Sequence, residues 1–191
     1  MSNLQTLEFK IKGTTPLCMH SPQASDALCD HPLYQPMREL AKKRTKSEED
    51  HRELARLEWM LSLYVNTEGR LFTPGRCWEA ALKDTAKRQK LGKKFNAAVM
   101  CDDALLKFPD ADRSPEELLN LKKYCMRIGM RVSNSRVMRS VPVFANWGVD
   151  LKVSFLESEL NEKEIIGVVR DCGIINGFLE FRPRHGRFVI E

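Results

Sequence analysis

The first hydrophobic signal along the chain is an alternation. Leu7, Phe9 and Ile11 are separated by Glu8, Lys10 and Lys12, the period-two pattern of a strand with one face in a core. Gly13 and Pro16 end it, and residues 14–36 read as a loop punctuated by Pro22, Pro32 and Pro36,. From Met37 to Tyr64 the period becomes helical, with Leu40 and Ala41, then Leu54, Leu57, Leu61 and Tyr64,. Ser47 followed by Glu48, Glu49 and Asp50 is an N-cap with an acidic third position,. Residues 37–64 are therefore expected to be a helical insertion, one helix to about Lys46 and a second beyond it.

Asn66 to Gly69 reads as a turn and Arg70 to Thr73 as a short extended segment, leading through Pro74 and Gly75 into a helix that Gly92 is expected to close,. Phe95 to Met100 and Leu105 to Phe108 read as short strands. Ser114-Pro115-Glu116-Glu117 caps a short helix with proline at its first position,, and residues 102–124 as a whole form an acidic excursion. Met126, Ile128, Met130 and Val132 alternate with Arg127 and Arg131 before Val137, Val141 and Val143, so 127–144 reads as a basic strand or hairpin,. Val149, Leu151, Val153 and Phe155 alternate with Asp150, Lys152 and Ser154, and Asn161 caps a helix to about Cys172,. The pattern predicts an α+β chain with an antiparallel sheet.

Composition adds a size and a charge. The 191 residues, 42% apolar and 30% charged, fit one globular domain and exclude disordered and fibrous classes,. Six cysteines without a Cys-x-x-Cys pair and no apolar leader indicate a reducing cytosol, and the apolar runs fall far short of the roughly 20 residues that cross a bilayer,. The net charge of +5 is unevenly placed. Lys83 to Lys94 holds six basic residues and one acid, and Lys122 to Arg139 six basic residues and no acid. Acids gather in Glu48 to Glu58 and in Asp102 to Glu117. Such polarity points to a polyanionic partner.

The closing segment runs from Gly173 through Gly177, Arg182-Pro183-Arg184-His185-Gly186-Arg187 and into Phe188 to Ile190. Glycines let backbone amides approach a phosphate, guanidiniums grip it bidentately, and Phe178 and Phe181 offer stacking faces. This loop and the earlier Thr73-Pro74-Gly75-Arg76-Cys77-Trp78-Glu79-Ala80-Ala81-Leu82-Lys83 resemble, in the same order, two segments of the RAMP superfamily, the backbone and guide-RNA-handling subunits of CRISPR effector complexes. The chain departs from that pattern at Arg76-Cys77-Trp78, at Glu79-Ala80 and in the lower glycine content of its loop, as a diverged, stand-alone relative would. Its compact plan also looks like that of small proteins of phages and mobile elements, with the host cytoplasm as the expected location.

The resemblance implies a single ferredoxin-like, RNA-recognition-motif-like domain over residues 1–191 that binds single-stranded RNA or DNA by lining up copies of itself along the strand. The residues expected to contact nucleic acid are Lys87, Arg88, Lys90, Lys93 and Lys94 after the Pro-Gly helix, Arg136 and Arg139 on the hairpin, and Phe178, Phe181, Arg182, Arg184 and Arg187 in the final loop,. Trp78, Phe144 and Trp147 read as core. The Cys18-x-His20 and Cys29-x-His31 pairs lack the spacing of structural zinc sites,, and no metal, cofactor or catalytic residue is assigned. Two rivals to the binding reading remain. One is a mimic or inhibitor of a CRISPR backbone that acts through effector subunits. The other is an RNase using Asp26 or Asp30, in the loop where some RAMP subunits place an acid, with His20 in support.

Overall fold

The structure, a computed structural model, describes residues 3–26, 28–132 and 135–191, with the backbone alone for Met130, Arg131, Val132 and Ser135. The alternation expected at Met130, Arg131 and Val132 thus lies outside the described side chains. In chain order the strands are β1 (Leu4–Gly13), β2 (Leu17–Cys18), β3 (Phe72–Thr73), β4 (Val99–Cys101), β5 (Ala104–Leu105), β6 (Cys125–Val132), β7 (Ser135–Phe144), β8 (Gly148–Leu156) and β9 (Phe188–Ile190). The helices are α1 (Tyr34–Lys42), α2 (Glu48–Leu61), α3 (Gly75–Ala86), α4 (Gly92–Ala98), α5 (Pro115–Asn120) and α6 (Glu162–Asp171). The protein is α+β, and the described residues divide into two compact units, one of Met1–Cys18, Val65–Ala111 and Phe144–Glu191, the other of Met19–Tyr64 and Asp112–Val143.

The first unit is built on a four-stranded sheet in the order β4-β8-β1-β9. Each neighbouring pair is antiparallel, and β1 runs against β8 from Leu4↔Leu156 to Lys12↔Gly148. The alternation read from the sequence decides which face is covered. Phe9, Ile11, Val149, Leu151, Val153 and Phe155 are buried, while Glu8, Lys10, Lys12, Asp150 and Lys152 are exposed. α3 buries Trp78, Ala81 and Leu82, with Trp78 edge-on to Phe188 of β9, and α6 buries Ile165, Val168 and Val169. Asn161 caps α6 in a reciprocal box with Glu164,. At the start of α3 the cap comes from far along the chain, as the Gly75 amide donates to Asp103 Oδ1 at 2.7 Å,. Gly75 must be glycine, because a Cβ there would overlap the Cys101 carbonyl oxygen.

Two expected strands change. Residues from Phe95 are not extended: Gly92–Ala98 is α4, and β4 starts only at Val99. Gly92 opens this helix instead of closing α3. The break belongs to Lys90, in the left-handed region at φ 61°, and Gly92 is needed because a Cβ would sit 2.6 Å from Lys87 Cγ. The strand expected over 105–108 contracts to β5, paired with β3.

In the second unit α1 begins at Tyr34, earlier than the expected Met37. Tyr34 and Met37 bury against Leu57 and Leu61 of α2. Ser47 caps α2 as the sequence indicates: its hydroxyl accepts the Asp50 amide, and Asp50 accepts the Ser47 amide, both at 3.1 Å. The basic stretch is a hairpin of β6 and β7, registered from Cys125↔Pro142 to Val132↔Ser135. Trp59 of α2 donates its indole N–H to the Tyr124 carbonyl at 2.8 Å. Gly75→Ala is expected to lower the free energy of unfolding by about 1–3 kcal/mol through overpacking. Gly167→Ala, in α6 with nothing within 4 Å of the added carbon, should raise it by about 0.5–1 kcal/mol. Urea titrations of the two variants check both signs.

Candidate functional site

The terminal loop is a closed excursion with a glycine at each end. Gly177 and Gly186 have φ of 75° and 72°, and neither tolerates a side chain. A Cβ on Gly177 would lie 2.6 Å from the His185 carbonyl oxygen, and one on Gly186 would overlap that of Phe178,. This close approach lets the Phe178 amide donate to the Gly186 carbonyl at 2.9 Å. The closed base is tied to the segment after β1: the Gly186 amide donates to Pro16 O at 2.9 Å and the Arg187 amide to Thr15 Oγ1 at 2.9 Å. What projects from this base includes Arg182 and Arg184, both exposed.

Phe178 belongs to the base and not to the projecting part. It is fully buried, with its ring stacked on Trp78 at 3.6 Å and an interplanar angle of 10°. The expected role in base stacking is therefore corrected: its face is already covered by indole. Phe181 is half-buried and meets His185 edge-on at 6.0 Å. Trp78, Phe144 and Trp147 are buried, as expected.

The loop is also fastened to α3. Asn176 donates its amide to the Ala81 carbonyl at 3.2 Å and to Thr85 Oγ1 at 3.3 Å. As a result Arg182 and Arg88 line one hollow of about 450 Å3, with Asp84 and Glu180 also on its walls. Beside the end of α3, Lys83, Lys87, Lys90 and Lys93 line a second hollow of about 520 Å3. Lys83 was not among the expected contacts; its spacing of four and seven residues from Lys87 and Lys90 on a helical face is the signal that finds it. Some of these cations are engaged. Lys87 pairs with Asp84 at 2.8 Å, Lys83 donates to Asn96 Oδ1 at 2.7 Å, Lys94 donates to the Glu159 carbonyl at 3.0 Å, and Arg187 Nε donates to the Pro183 carbonyl at 2.8 Å. Among the described residues Arg88, Lys90, Lys93, Arg182 and Arg184 make no side-chain hydrogen bond or ion pair.

The open face of the sheet is a poorer place for a nucleic-acid strand. It carries Thr6, Glu8, Lys10, Lys12, Asp150, Lys152 and Ser154, and among the described residues no aromatic ring on which a base stacks. Lys152 pairs with Glu8 at 3.1 Å, and the carboxylate holds the ammonium above its ordinary pKa.

Arg136 and Arg139 lie in the other unit. Arg136 is exposed. Arg139 is not a free surface cation: its Nη1 pairs with Glu58 Oε1, and the Ser140 amide approaches Glu58 Oε2 at 3.4 Å. Arg139, with 35% of its side chain exposed, thus reaches the surface already paired with Glu58, which is 11% exposed. Asp26 accepts the Leu28 amide at 2.9 Å in a turn,. His20 Nδ1 lies 3.3 Å from Ser62 Oγ. Burial, with the Glu180 carboxylate adding to it, pushes the Cys18 thiol up to about 12, so it is a protonated core group,. His31 Nδ1 accepts the Leu33 amide at 3.2 Å.

No family model matches this chain, and no curated protein matches it. The placement of Phe178 generates a direct check. Phe178→Ala should cost about 3–5 kcal/mol of unfolding free energy, whereas Phe181→Ala should cost about 1 kcal/mol or less. Urea unfolding monitored by circular dichroism separates them.

Proposed function

We propose that this chain binds single-stranded nucleic acid, RNA in preference to DNA, through the terminal Gly-Arg loop and the basic end of α3, on a ferredoxin-like, RAMP-type core. The core reading rests on connectivity. In chain order the sheet and its two covering helices run β1, α3, β4, β8, α6, β9, and the strands lie in the order β4-β8-β1-β9. Renumbered within the core, that is a βαββαβ unit with strand order 2-3-1-4, a connectivity that supports the ferredoxin-like reading. The helices α1 and α2 and the hairpin of β6 and β7 then stand as insertions into it.

The observation that carries the binding reading is the shared hollow of Arg88 and Arg182. A loop closed by two obligatory glycines is fastened to α3 by Asn176, so guanidiniums from distant parts of the chain line one hollow beside Asp84 and Glu180, with no ion pair between either of them and a described carboxylate. Guanidiniums free of such pairs can match phosphate oxygens bidentately. Lys90 and Lys93 extend the cationic surface with contacts that carry no sequence information. Side-by-side copies along one strand are part of this reading. The RNase alternative has less support, because Asp26 is engaged by the Leu28 amide.

The purified chain should retain a fluorescein-labelled single-stranded oligonucleotide at low salt and release it as salt rises. The double variant Arg88→Ala/Arg182→Ala should weaken binding about tenfold or more and reduce the log-log salt slope by about 2. Fluorescence anisotropy across a salt series reads both. Retention of the full slope by the double variant, or no binding of any oligonucleotide by the parent chain, would overturn the proposal.

A further inference from the structure

The second unit contains a cleft of about 410 Å3 that the strand-binding reading does not use. One part of its lining is apolar, from Ala24, Tyr34, Met37 and Ala41. The polar part comes from His20, Glu58, Ser62, Arg139 and Ser140, and the exposed Arg38 also borders it. A concave site of this size, mostly apolar with a few convergent polar groups, is the usual form of a small-molecule site.

The polar groups are ordered by one another. Ser62 donates its hydroxyl proton to the Glu58 carbonyl at 2.7 Å. Its oxygen is therefore the acceptor in the 3.3 Å contact with His20, which places a proton on Nδ1 and, in the neutral ring, leaves a lone pair on Nε2. Glu58 is engaged on one oxygen by Arg139 and on the other by the Ser140 amide. The pair cancels in charge. Arg38, with no ion pair among the described residues, is the uncompensated cation.

Three complementary requirements follow for an occupant: an oxyanion for the Arg38 fork, a hydroxyl or amino donor for His20 Nε2, and an apolar body against the wall that Ala24 and Ala41 form with the narrow exposed edges of Tyr34 and Met37. We propose that this cleft binds a free nucleoside monophosphate. Its phosphate lies on Arg38, a sugar hydroxyl or exocyclic amine donates to His20, and the base lies over the apolar wall of Ala24, Ala41 and the exposed edges of Tyr34 and Met37. The ligand is noncovalent and no bond is made or broken. The site lies wholly within residues 20–62 and 139–140, so it stands or falls apart from the Arg88 and Arg182 hollow.

Isothermal titration of the full chain with AMP, adenosine and inorganic phosphate tests it. AMP should bind at one site per chain, about tenfold or more tighter than either fragment, because charge-assisted and apolar contacts are then made together. Arg38→Ala should weaken AMP about tenfold or more and leave adenosine unchanged. Ala41→Trp, at an exposed helical position where the new ring fills the cleft, should abolish both while leaving oligonucleotide retention intact. Equal affinity for AMP and inorganic phosphate would overturn the proposal. So would AMP binding that survives both substitutions, since that places the nucleotide on the general cationic surface. Failure of oligonucleotide binding with AMP binding preserved would sink the strand-binding reading alone.

Discussion

The first unit depends on the indole of Trp78. Its N–H donates to Thr73 Oγ1 at 3.0 Å, and that hydroxyl donates in turn to the Ala104 carbonyl at 3.1 Å. One relay thus joins α3 to the β3–β5 pair. The faces and edges of the same ring take Phe178 in a stack at 3.6 Å and Phe188 edge-on at 5.5 Å. Helix, terminal loop and last strand therefore converge on a single fully buried side chain. Aromatic pairs of this kind contribute beyond their burial alone by about 0.5–1.5 kcal/mol each. Without this anchor the closed loop would be fastened to α3 by Asn176 alone, and the hollow that Arg182 and Arg88 line would lose its main support.

The cations differ in what they can mean. Lys83 and Lys87 sit in the last turn and at the C-cap of α3, where positive charge complements the helix dipole and stabilises the fold whatever the protein binds. Arg182 and Arg184 carry no such role, being held out from the core by a loop whose glycines serve only to close it. Their position costs conformational freedom that burial does not return. This contrast makes the loop arginines the more telling pair. It also separates them from Arg139, whose charge is met by Glu58 and whose guanidinium borders a different cleft.

Local chemistry was legible in the sequence and long-range pairing was not. The alternations of β1 and β8 exposed their inward residues directly, and Ser47, Ser114 and Asn161 each announced a helix through a reciprocal acidic partner,. Trp78 was readable as core from its helical neighbours. Phe178 was not, because its burial depends on Trp78, a partner far away along the chain, and a ring beside glycines reads equally well as exposed. Gly92 misled for a related reason: glycine after a basic helix suggests a stop, but here its lack of a Cβ admits Lys87. Asp103 as the cap of α3 and Glu58 as the partner of Arg139 left no sequence spacing by which to find them.

The central claim is that a single strand follows the Gly-Arg loop and the end of α3. The most direct measurement is photo-crosslinking of a 4-thiouridine-substituted RNA to the unmodified chain, with the attached peptides identified by mass spectrometry. The account predicts crosslinks within residues 83–94 and 177–187. Crosslinks confined to the open face of the sheet, at β1 and β8, or to the β6–β7 hairpin would contradict it.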